Sequence, residues 1–354
     1  MSSKRLNVGF IGAGMISRVH ALGYLRNERA RIAAVCDIDE DLARRRANEW
    51  GVKKVYADYR EILKDPEIDA VEILLPHHLH APVAIEGAEA GKHISMQKPI
   101  AMDMKQADQV ISVVKSSGVK FNLAESYSFY PPILKASELV LNDEIGTPSM
   151  IRIQSLNGIG AVEDWQEPTE GKGAWRLDRN KGGGLIFDDI PHHYFATQRL
   201  VPGKIESIFA FMSYPDSPIE YPAAAVWKYA QRDAYCVLTY PFFTTIRMRT
   251  KYYSLNESYE VVGDEGLIRV SHLSGEVLPE PPLMLRKGEK TIEFVDLVDD
   301  WAEGFVNEVA QFIECVLDDK EPYIGTERAR EQLAFALAAY KSATEGRKVS
   351  PEEF

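Results

Sequence analysis

Long apolar runs, closely spaced cysteines and an excess of basic charge are all missing from this chain of 354 residues. No apolar stretch reaches the roughly 18 residues that a membrane-spanning helix needs, so we expect no membrane span. The three cysteines, Cys36, Cys236 and Cys315, are odd in number and far apart. They are typical of buried thiols in a reducing compartment and argue against a disulfide scaffold or a cysteine-based metal site.

The charge balance is acidic, with a formal net charge of −12, which argues against non-specific binding to nucleic acid or to an anionic membrane surface. The sequence has no internal repeat and no low-complexity segment. Because residues 1–5 lead directly into a strand-like run, we expect no signal peptide and a cytoplasmic location. The length, with 45% hydrophobic residues, allows two domains and a large core.

A glycine-rich turn is the most informative stretch of the chain. An apolar run over residues 6–11 stops at Gly12-Ala13-Gly14 and continues into a helix-like segment, so that Gly12, Gly14 and Ser17 fit the pattern G-x-G-x-x-(G/A/S). A second apolar run then ends in Asp37, 20 residues after Ser17. This order of strand, turn, helix, strand and acid predicts a dinucleotide site, although a glycine-rich turn of another α/β protein remains the alternative.

The expected contacts of that site follow from its chemistry. A pyrophosphate is expected on the N–H groups at the helix start, beside Gly14, Met15 and Ile16. Asp37 is expected to accept hydrogen bonds from the ribose hydroxyls and to repel a 2′-phosphate, which predicts NAD rather than NADP.

The pattern of predicted elements changes near residue 126. Residues 1–125 alternate strand and helix, which predicts an α/β Rossmann domain with a doubly wound parallel sheet. Residues 126–354 favour alternating strands, with helices over 188–200, 301–318 and 326–344, which predicts a second, α+β domain with a mainly antiparallel sheet. The helix over 326–344 could pack back on the first domain.

Three further motifs carry a family resemblance. They are Pro76-His77-His78-Leu79-His80, Gln97-Lys98-Pro99, and Trp175-Arg176 followed by the segment from Gly182 to His192. They resemble Pro-Asn-x-x-His, Glu-Lys-Pro and Trp-Arg…Gly-Gly-Gly-x-x-x-Asp-x-Gly-x-His of the glucose–fructose oxidoreductase / inositol dehydrogenase (Gfo/Idh/MocA) family. The resemblance covers nearly the whole chain and implies an NAD- or NADP-binding enzyme that oxidises sugars or cyclitols. It also implies that residues 126–354 form an α+β domain with a large open sheet, which serves substrate binding and oligomerisation.

The resemblance also implies a catalytic trio of Lys98, Asp188 and His192. The chain departs from the family pattern at Gln97, which removes a negative charge beside Lys98, at His77, and at Ile190-Pro191 with an additional His193. The expected cofactor contacts lie mainly at strand ends and are Gly12, Gly14, Met15, Ile16, Asp37, Pro76, His77, His80, Gln97, Lys98 and Glu125. The expected substrate contacts are Tyr127, Arg152, Trp165, Trp175, Arg176 and His193, and core packing is the alternative for each aromatic or arginine side chain.

The chemistry of the trio suits oxidation of a secondary alcohol. Asp188 and His192 are four residues apart, and hence neighbours on one helix, so that the carboxylate could orient an imidazole acting as a base. The Lys98 ammonium could donate to the reacting oxygen. We expect no metal site at His77, His78 and His80, since further ligands at zinc spacing are not evident.

The sequence therefore predicts an NAD-dependent oxidoreductase that removes hydride from a secondary hydroxyl of a sugar, glycoside or cyclitol. Two alternatives remain, a redox-neutral glycosidase that oxidises, eliminates, hydrates and reduces again, and a non-catalytic sugar- or nucleotide-sensing regulator. The predicted partner is a small carbohydrate, and the open sheet predicts a homodimer or homotetramer because bare apolar faces are rare on monomers.

Overall fold

The computed structural model describes residues 5–159, 174–214, 220–241 and 245–354. The chain divides into two compact units. The first unit comprises Met1–Ser126, Asn180–Gly182 and Phe305–Leu333, and the second comprises Tyr127–Arg179, Gly183–Gly304 and Ala334–Phe354. Among the described residues, no helix combines the length and the apolar character needed to cross a membrane.

The first unit is built on six parallel strands, which confirms the predicted doubly wound sheet. The strands lie in the spatial order β3-β2-β1-β4-β5-β6. Their runs are short and apolar because helices cover both faces of such a sheet. The strands are β1 (Leu6–Ile11), β2 (Ala30–Cys36), β3 (Lys54–Tyr56), β4 (Ala70–Ile73), β5 (His93–Gln97) and β6 (Phe121–Ala124).

The helices between these strands have clear start and stop signals. The side chains of Asp39 and Asp103 accept hydrogen bonds from backbone N–H groups at the starts of two helices, and Gly51 and Gly118 end the same helices in the left-handed conformation. The helices are α1 (Ser17–Leu25), α2 (Glu40–Trp50), α3 (Tyr59–Lys64), α4 (His80–Glu89) and α5 (Met104–Ser117).

The described residues after β6 add five α-helices. The predicted single helix over 188–200 is wrong at its start, because the chain forms two helices joined at Asp189. Pro191 is tolerated since it stands in the first turn of the second of these, where its missing N–H is not needed. The five are α6 (Pro131–Leu141), α7 (Leu185–Asp188), α8 (Ile190–Leu200), α9 (Ala302–Leu317) and α10 (Thr326–Glu345).

The second unit contains an eight-stranded sheet that is mostly antiparallel, as predicted, with one parallel pair between β7 and β10. The spatial order is β16-β15-β13-β12-β7-β10-β9-β8, and β11 and β14 form a separate small ribbon. The strands are β7 (Pro148–Asn157), β8 (Ile205–Met212), β9 (Ala223–Tyr229), β10 (Tyr235–Tyr240), β11 (Arg249–Thr250), β12 (Leu255–Gly263), β13 (Gly266–Val270), β14 (Gly275–Glu276), β15 (Leu283–Lys287) and β16 (Lys290–Glu293).

The sequence predicts a strand over residues 245–250, where the structure has only the short β11 of the separate ribbon. The pattern of the sequence does not predict β15. One face of the sheet is buried by helices, whereas the other, which we call the open face, exposes Phe211, Val226 and Tyr235 at 66%, 41% and 37%. The register of β7 to β10 aligns these three side chains on the same side of the sheet.

Candidate active site

The glycine-rich turn has the geometry of a dinucleotide cradle. Gly12 has a φ of +104°, and a Cβ there would lie 2.3 Å from the carbonyl oxygen of Leu74, so only glycine fits. At Gly14 no heavy atom lies within 4 Å of the Cβ position, which leaves room for a ligand beside the backbone. Met15 and Ile16 are half-buried in the same turn, directly before α1.

Asp37 is fixed against that turn. Its Oδ2 accepts a hydrogen bond from the Ala13 N–H at 2.8 Å, and its Oδ1 accepts one from the Asp39 N–H at 2.9 Å. Each carboxylate oxygen has a further lone pair, which is what ribose hydroxyls require. The neighbouring Ile38 is 94% exposed and offers no positive charge for a 2′-phosphate. These residues therefore fit NAD.

Two histidines brace the loops that follow the strands. His77 donates from Nδ1 to the carbonyl oxygen of Gly182 at 2.7 Å. The fully buried His80 ring lies between the carbonyl oxygens of Pro99 and Leu75, at 2.7 and 2.8 Å. Burial lowers the pKa of His80 to about 4. His80 therefore holds two loops of the predicted cofactor site together, and the half-buried Pro76 opens the first of them.

Gln97, Lys98 and Glu125 stand at the carboxyl ends of β5 and β6, where ligands of a doubly wound sheet collect. Gln97 is half-buried, whereas Lys98 and Glu125 are 5% and 1% exposed. The side-chain amide of Gln97 contacts the imidazole of His20 on α1.

In the second unit, Asp188 ends α7 and pairs with Arg176. The Nε of Arg176 donates to Asp188 Oδ2 at 3.1 Å, and the guanidinium also lies 4.5 Å above the ring centre of Trp175. Arg176 of the Trp-Arg motif thus holds the carboxylate of Asp188 in place. The position of the motif in the sequence did not indicate this role.

Tyr127 supports His192. Its ring stacks on His192 with a centroid distance of 4.4 Å and an interplanar angle of 13°, and its hydroxyl donates to Glu257 at 2.6 Å. Burial, and then the charge of Glu257, raise the pKa of Tyr127 well above its usual value, which favours the protonated hydroxyl. The contact of Tyr127 with substrate stays a prediction.

The two adjacent histidines of α8 have different surroundings. His192 is half-buried, whereas His193 is fully buried among residues of the second unit. Tyr259 donates to His193 Nδ1 at 2.7 Å, and His193 Nε2 lies 3.2 Å from Asp189 Oδ2. Both ring nitrogens of His193 are therefore engaged inside the protein, which favours a supporting role over the predicted contact with substrate.

Asp189, His193 and Glu257 form a cluster, found within the described ranges, whose potential ligand atoms lie within 4.8 Å of one another. The hydroxyls of Tyr127 and Tyr259 already bond to Glu257 and His193. We therefore interpret the cluster as a hydrogen-bonded support for α8 and do not propose a metal there.

Glu220 is a site residue that the sequence did not indicate. It is fully buried, and its carboxylate accepts from the Leu185 N–H at 2.6 Å and from the Tyr340 hydroxyl. A Cβ at Gly184, where φ is +108°, would meet both Glu220 and Tyr340 at less than 3.0 Å. The carboxylate thus holds the start of α7, the short helix that ends at Asp188.

Arg152, a predicted substrate contact, does not join this group. Arg152 points from the open face of the sheet, opposite to α8, and pairs there with Glu260 on the neighbouring strand. Side chains along β7 alternate between the two faces of the sheet, so Ile153 points toward the helices and Arg152 points away from them. Trp165 lies outside the described residues.

Comparison with protein families matches nearly the whole chain. A model described as the oxidoreductase family, NAD-binding Rossmann fold, matches residues 6–125. A second model, described as the oxidoreductase family, C-terminal alpha/beta domain, matches residues 137–350. The first unit therefore contains an NAD-binding Rossmann fold, in agreement with the glycine-rich turn and Asp37.

Individual relatives are distant in sequence. Myo-inositol 2-dehydrogenase of Thermotoga maritima is 27% identical over 354 residues, covering 98% of this chain and 99% of the relative. Levoglucosan dehydrogenase of Pseudarthrobacter phenanthrenivorans is 29% identical over 227 residues, and this match spans 61% of this chain and only 57% of the relative. The structure of a levoglucosan dehydrogenase with NADH and levoglucosan has a TM-score of 0.81 at 21% identity, covering 98% and 99% of the two chains, a likeness of fold alone.

The contact between Tyr127 and Glu257 predicts a measurable coupling. Tyr127→Phe keeps the ring on His192 but removes a donor from a buried carboxylate, so the free energy of unfolding in urea should fall by about 1–3 kcal/mol. In the Glu257→Gln background, Tyr127→Phe should lower the free energy of unfolding by less, because a neutral amide tolerates loss of the donor better than a carboxylate does. If the two losses of unfolding free energy simply add in the double variant, the contact between Tyr127 and Glu257 is contradicted.

Proposed function

This chain belongs to the Gfo/Idh/MocA family of oxidoreductases, and from that membership we propose that it is an NAD-dependent dehydrogenase of a sugar, glycoside or cyclitol. The proposed reaction removes hydride from a secondary hydroxyl. NAD accepts that hydride when it is bound. The names of the relatives, which include an inositol and a levoglucosan dehydrogenase, support this substrate class.

One observation supports the reaction above the others, the placement of His192. His192 is a half-buried imidazole, and its stacking on Tyr127 favours one orientation of the ring. A neutral histidine is suited to take a hydroxyl proton near neutral pH. We therefore propose His192 as the base.

We propose supporting roles for the two other members of the trio. Asp188, held by Arg176, contributes a negative charge that favours the imidazolium formed when His192 takes the proton. The ammonium of Lys98 donates to the reacting oxygen and stabilises the developing alkoxide. Trp175 and Arg176 remain proposed substrate contacts, and His193 is proposed to hold α8.

We also propose that the protein is cytoplasmic and self-associates. The three cysteines are free and buried, which suits a reducing compartment. The apolar side chains of Phe211, Val226 and Tyr235 on the open face would be covered by a second copy in a homodimer or homotetramer.

The proposed activity is tested with purified protein, NAD and a panel of polyols and glycosides, followed by NADH absorbance. Net NADH formation supports a dehydrogenase. Release of a free sugar from a glycoside without net NADH would identify the redox-neutral glycosidase instead, and binding without turnover would identify the sensing regulator.

The first prediction concerns the proton-transfer pair. His192→Ala should lower kcat by about 10²- to 10⁴-fold, the usual contribution of a general base, and leave NADH affinity nearly unchanged. Asp188→Asn should cause a loss of the same kind, and the two losses should not add, since both residues serve one proton transfer. His193→Ala is the matched control. If it were the crippling change while His192→Ala was mild, the assignment of the base would be wrong.

The second prediction concerns cofactor choice. The carboxylate of Asp37 should give a strong preference for NAD over NADP, measured by quenching of tryptophan fluorescence. Asp37→Ser should reduce the difference between the affinities for NAD and NADP, because it removes the charge that repels a 2′-phosphate. Equal or tighter binding of NADP by the unaltered protein would overturn the assignment.

The third prediction concerns assembly. Light scattering at micromolar concentration should give at least a dimer, and Val226→Lys on the open face should shift it toward the monomer by placing charge in the covered surface. The control is Ile38→Lys, which changes an exposed apolar residue of the first unit. A monomeric unaltered protein would contradict the proposal.

A further inference from the structure

A buried polar chain connects α1, β4 and the end of β5. The fully buried His20 of α1 lies between Gln97, whose Nε2 is 2.8 Å from His20 Nε2, and Glu72, whose Oε1 is 3.0 Å from His20 Nδ1. The Nδ1 atom of His20 and the carboxylate of Glu72 are close, but their geometry does not meet that of a hydrogen bond. Gln97 is the residue directly before Lys98.

The donors around Glu72 fix where the proton of His20 resides. Glu72 accepts a hydrogen bond from the Tyr24 hydroxyl on Oε2 at 2.6 Å, and one from the Ser95 hydroxyl on Oε1 at 3.1 Å. A carboxylate that accepts on both oxygens presents negative charge to His20, so the ring carries its proton on Nδ1. His20 Nε2 is then an acceptor, and it receives the amide NH₂ of Gln97.

The remaining groups near Glu72 do not change this assignment of the proton to His20 Nδ1. Burial, and then the charge of Glu72, raise the pKa of Glu308 well above its usual value, which favours its neutral form. Asn122 donates to Glu308, and the ring of Phe305 covers one side of His20 at a centroid distance of 5.0 Å.

We infer that Glu72 and His20 are positioning residues that fix the orientation of the Gln97 amide, with its NH₂ group on His20 and its carbonyl oxygen left to accept a hydrogen bond from the carboxamide of NAD. An amide in the opposite orientation would present a donor to that carboxamide NH₂ and repel it. The inference rests on the proposed role of Gln97 in cofactor binding, and neither Glu72 nor His20 needs to touch the cofactor.

The first arm of the test reads the tautomer of His20 without any turnover. Histidine labelled with ¹⁵N in the ring should show His20 protonated on Nδ1, with the signal assigned by its loss in His20→Gln. Glu72→Gln should give a mixture of tautomers. In the double variant that combines Glu72→Gln with Gln97→Glu, the proton should move to His20 Nε2, because the new carboxylate at position 97 lies on that side of the ring.

The second arm measures NADH affinity by fluorescence. Glu72→Gln should weaken binding by about 3- to 10-fold, the value of one hydrogen bond. Gln97→Leu should weaken it equally while leaving the His20 tautomer unchanged, and this half-buried substitution serves if Glu72→Gln fails to fold. Tyr59→Phe, which removes a hydrogen bond from Glu86 outside this chain of contacts, is the matched control and should alter neither quantity.

Two results would overturn the inference. One is a His20 ring protonated on Nε2 in the unaltered protein, and the other is unchanged NADH affinity in both Glu72→Gln and Gln97→Leu. Failure to oxidise any polyol would count against the proposed reaction alone, since neither arm depends on a substrate.

Discussion

Glu72, Glu220 and Glu257 are fully buried, and a carboxylate in an apolar interior costs several kcal/mol unless hydrogen-bond donors surround it. Each therefore collects donors from different elements. Glu72 joins α1 to β4 and β5, Glu220 joins the start of α7 to α10, and Glu257 joins β12 to Tyr127. The residues proposed for catalysis and cofactor binding lie next to these junctions, so the need to satisfy buried charge also fixes the candidate site.

Periodicity and turn chemistry made most of the fold predictable. The first unit is made of apolar runs that alternate with capped helices, and both signals are local, so its alternation of strand and helix was predictable. The parallel pair of β7 and β10 was not foreseeable, because no local pattern records which distant strand becomes a neighbour. Nor was the break at Asp189, since Pro191 is compatible both with a continuing helix and with the first turn of a new one.

The candidate site was less predictable, since it depends on side-chain direction. The sequence predicted that Tyr127 lies near the site. It did not predict that the ring would stack on His192 or that the hydroxyl would bond to Glu257. Arg152 had a usable signal, because the isoleucines on both sides of it predict a strand whose arginine faces outward. Glu72 had one as well, since a lone carboxylate inside the apolar run of β4 rarely occurs without partners. Glu220 stands in irregular chain and gave no signal.

The position of β7 within its sheet has a consequence for synthesis of the chain. β7 is the first strand of the eight in sequence, yet it lies between β10 and β12. On a ribosome that adds about 5–20 residues per second, the 77 residues between its end at Asn157 and the start of β10 at Tyr235 take several seconds. Throughout that time both edges of β7 display unpaired backbone groups, so the nascent chain passes through a stage in which its central strand is open to pairing with other chains.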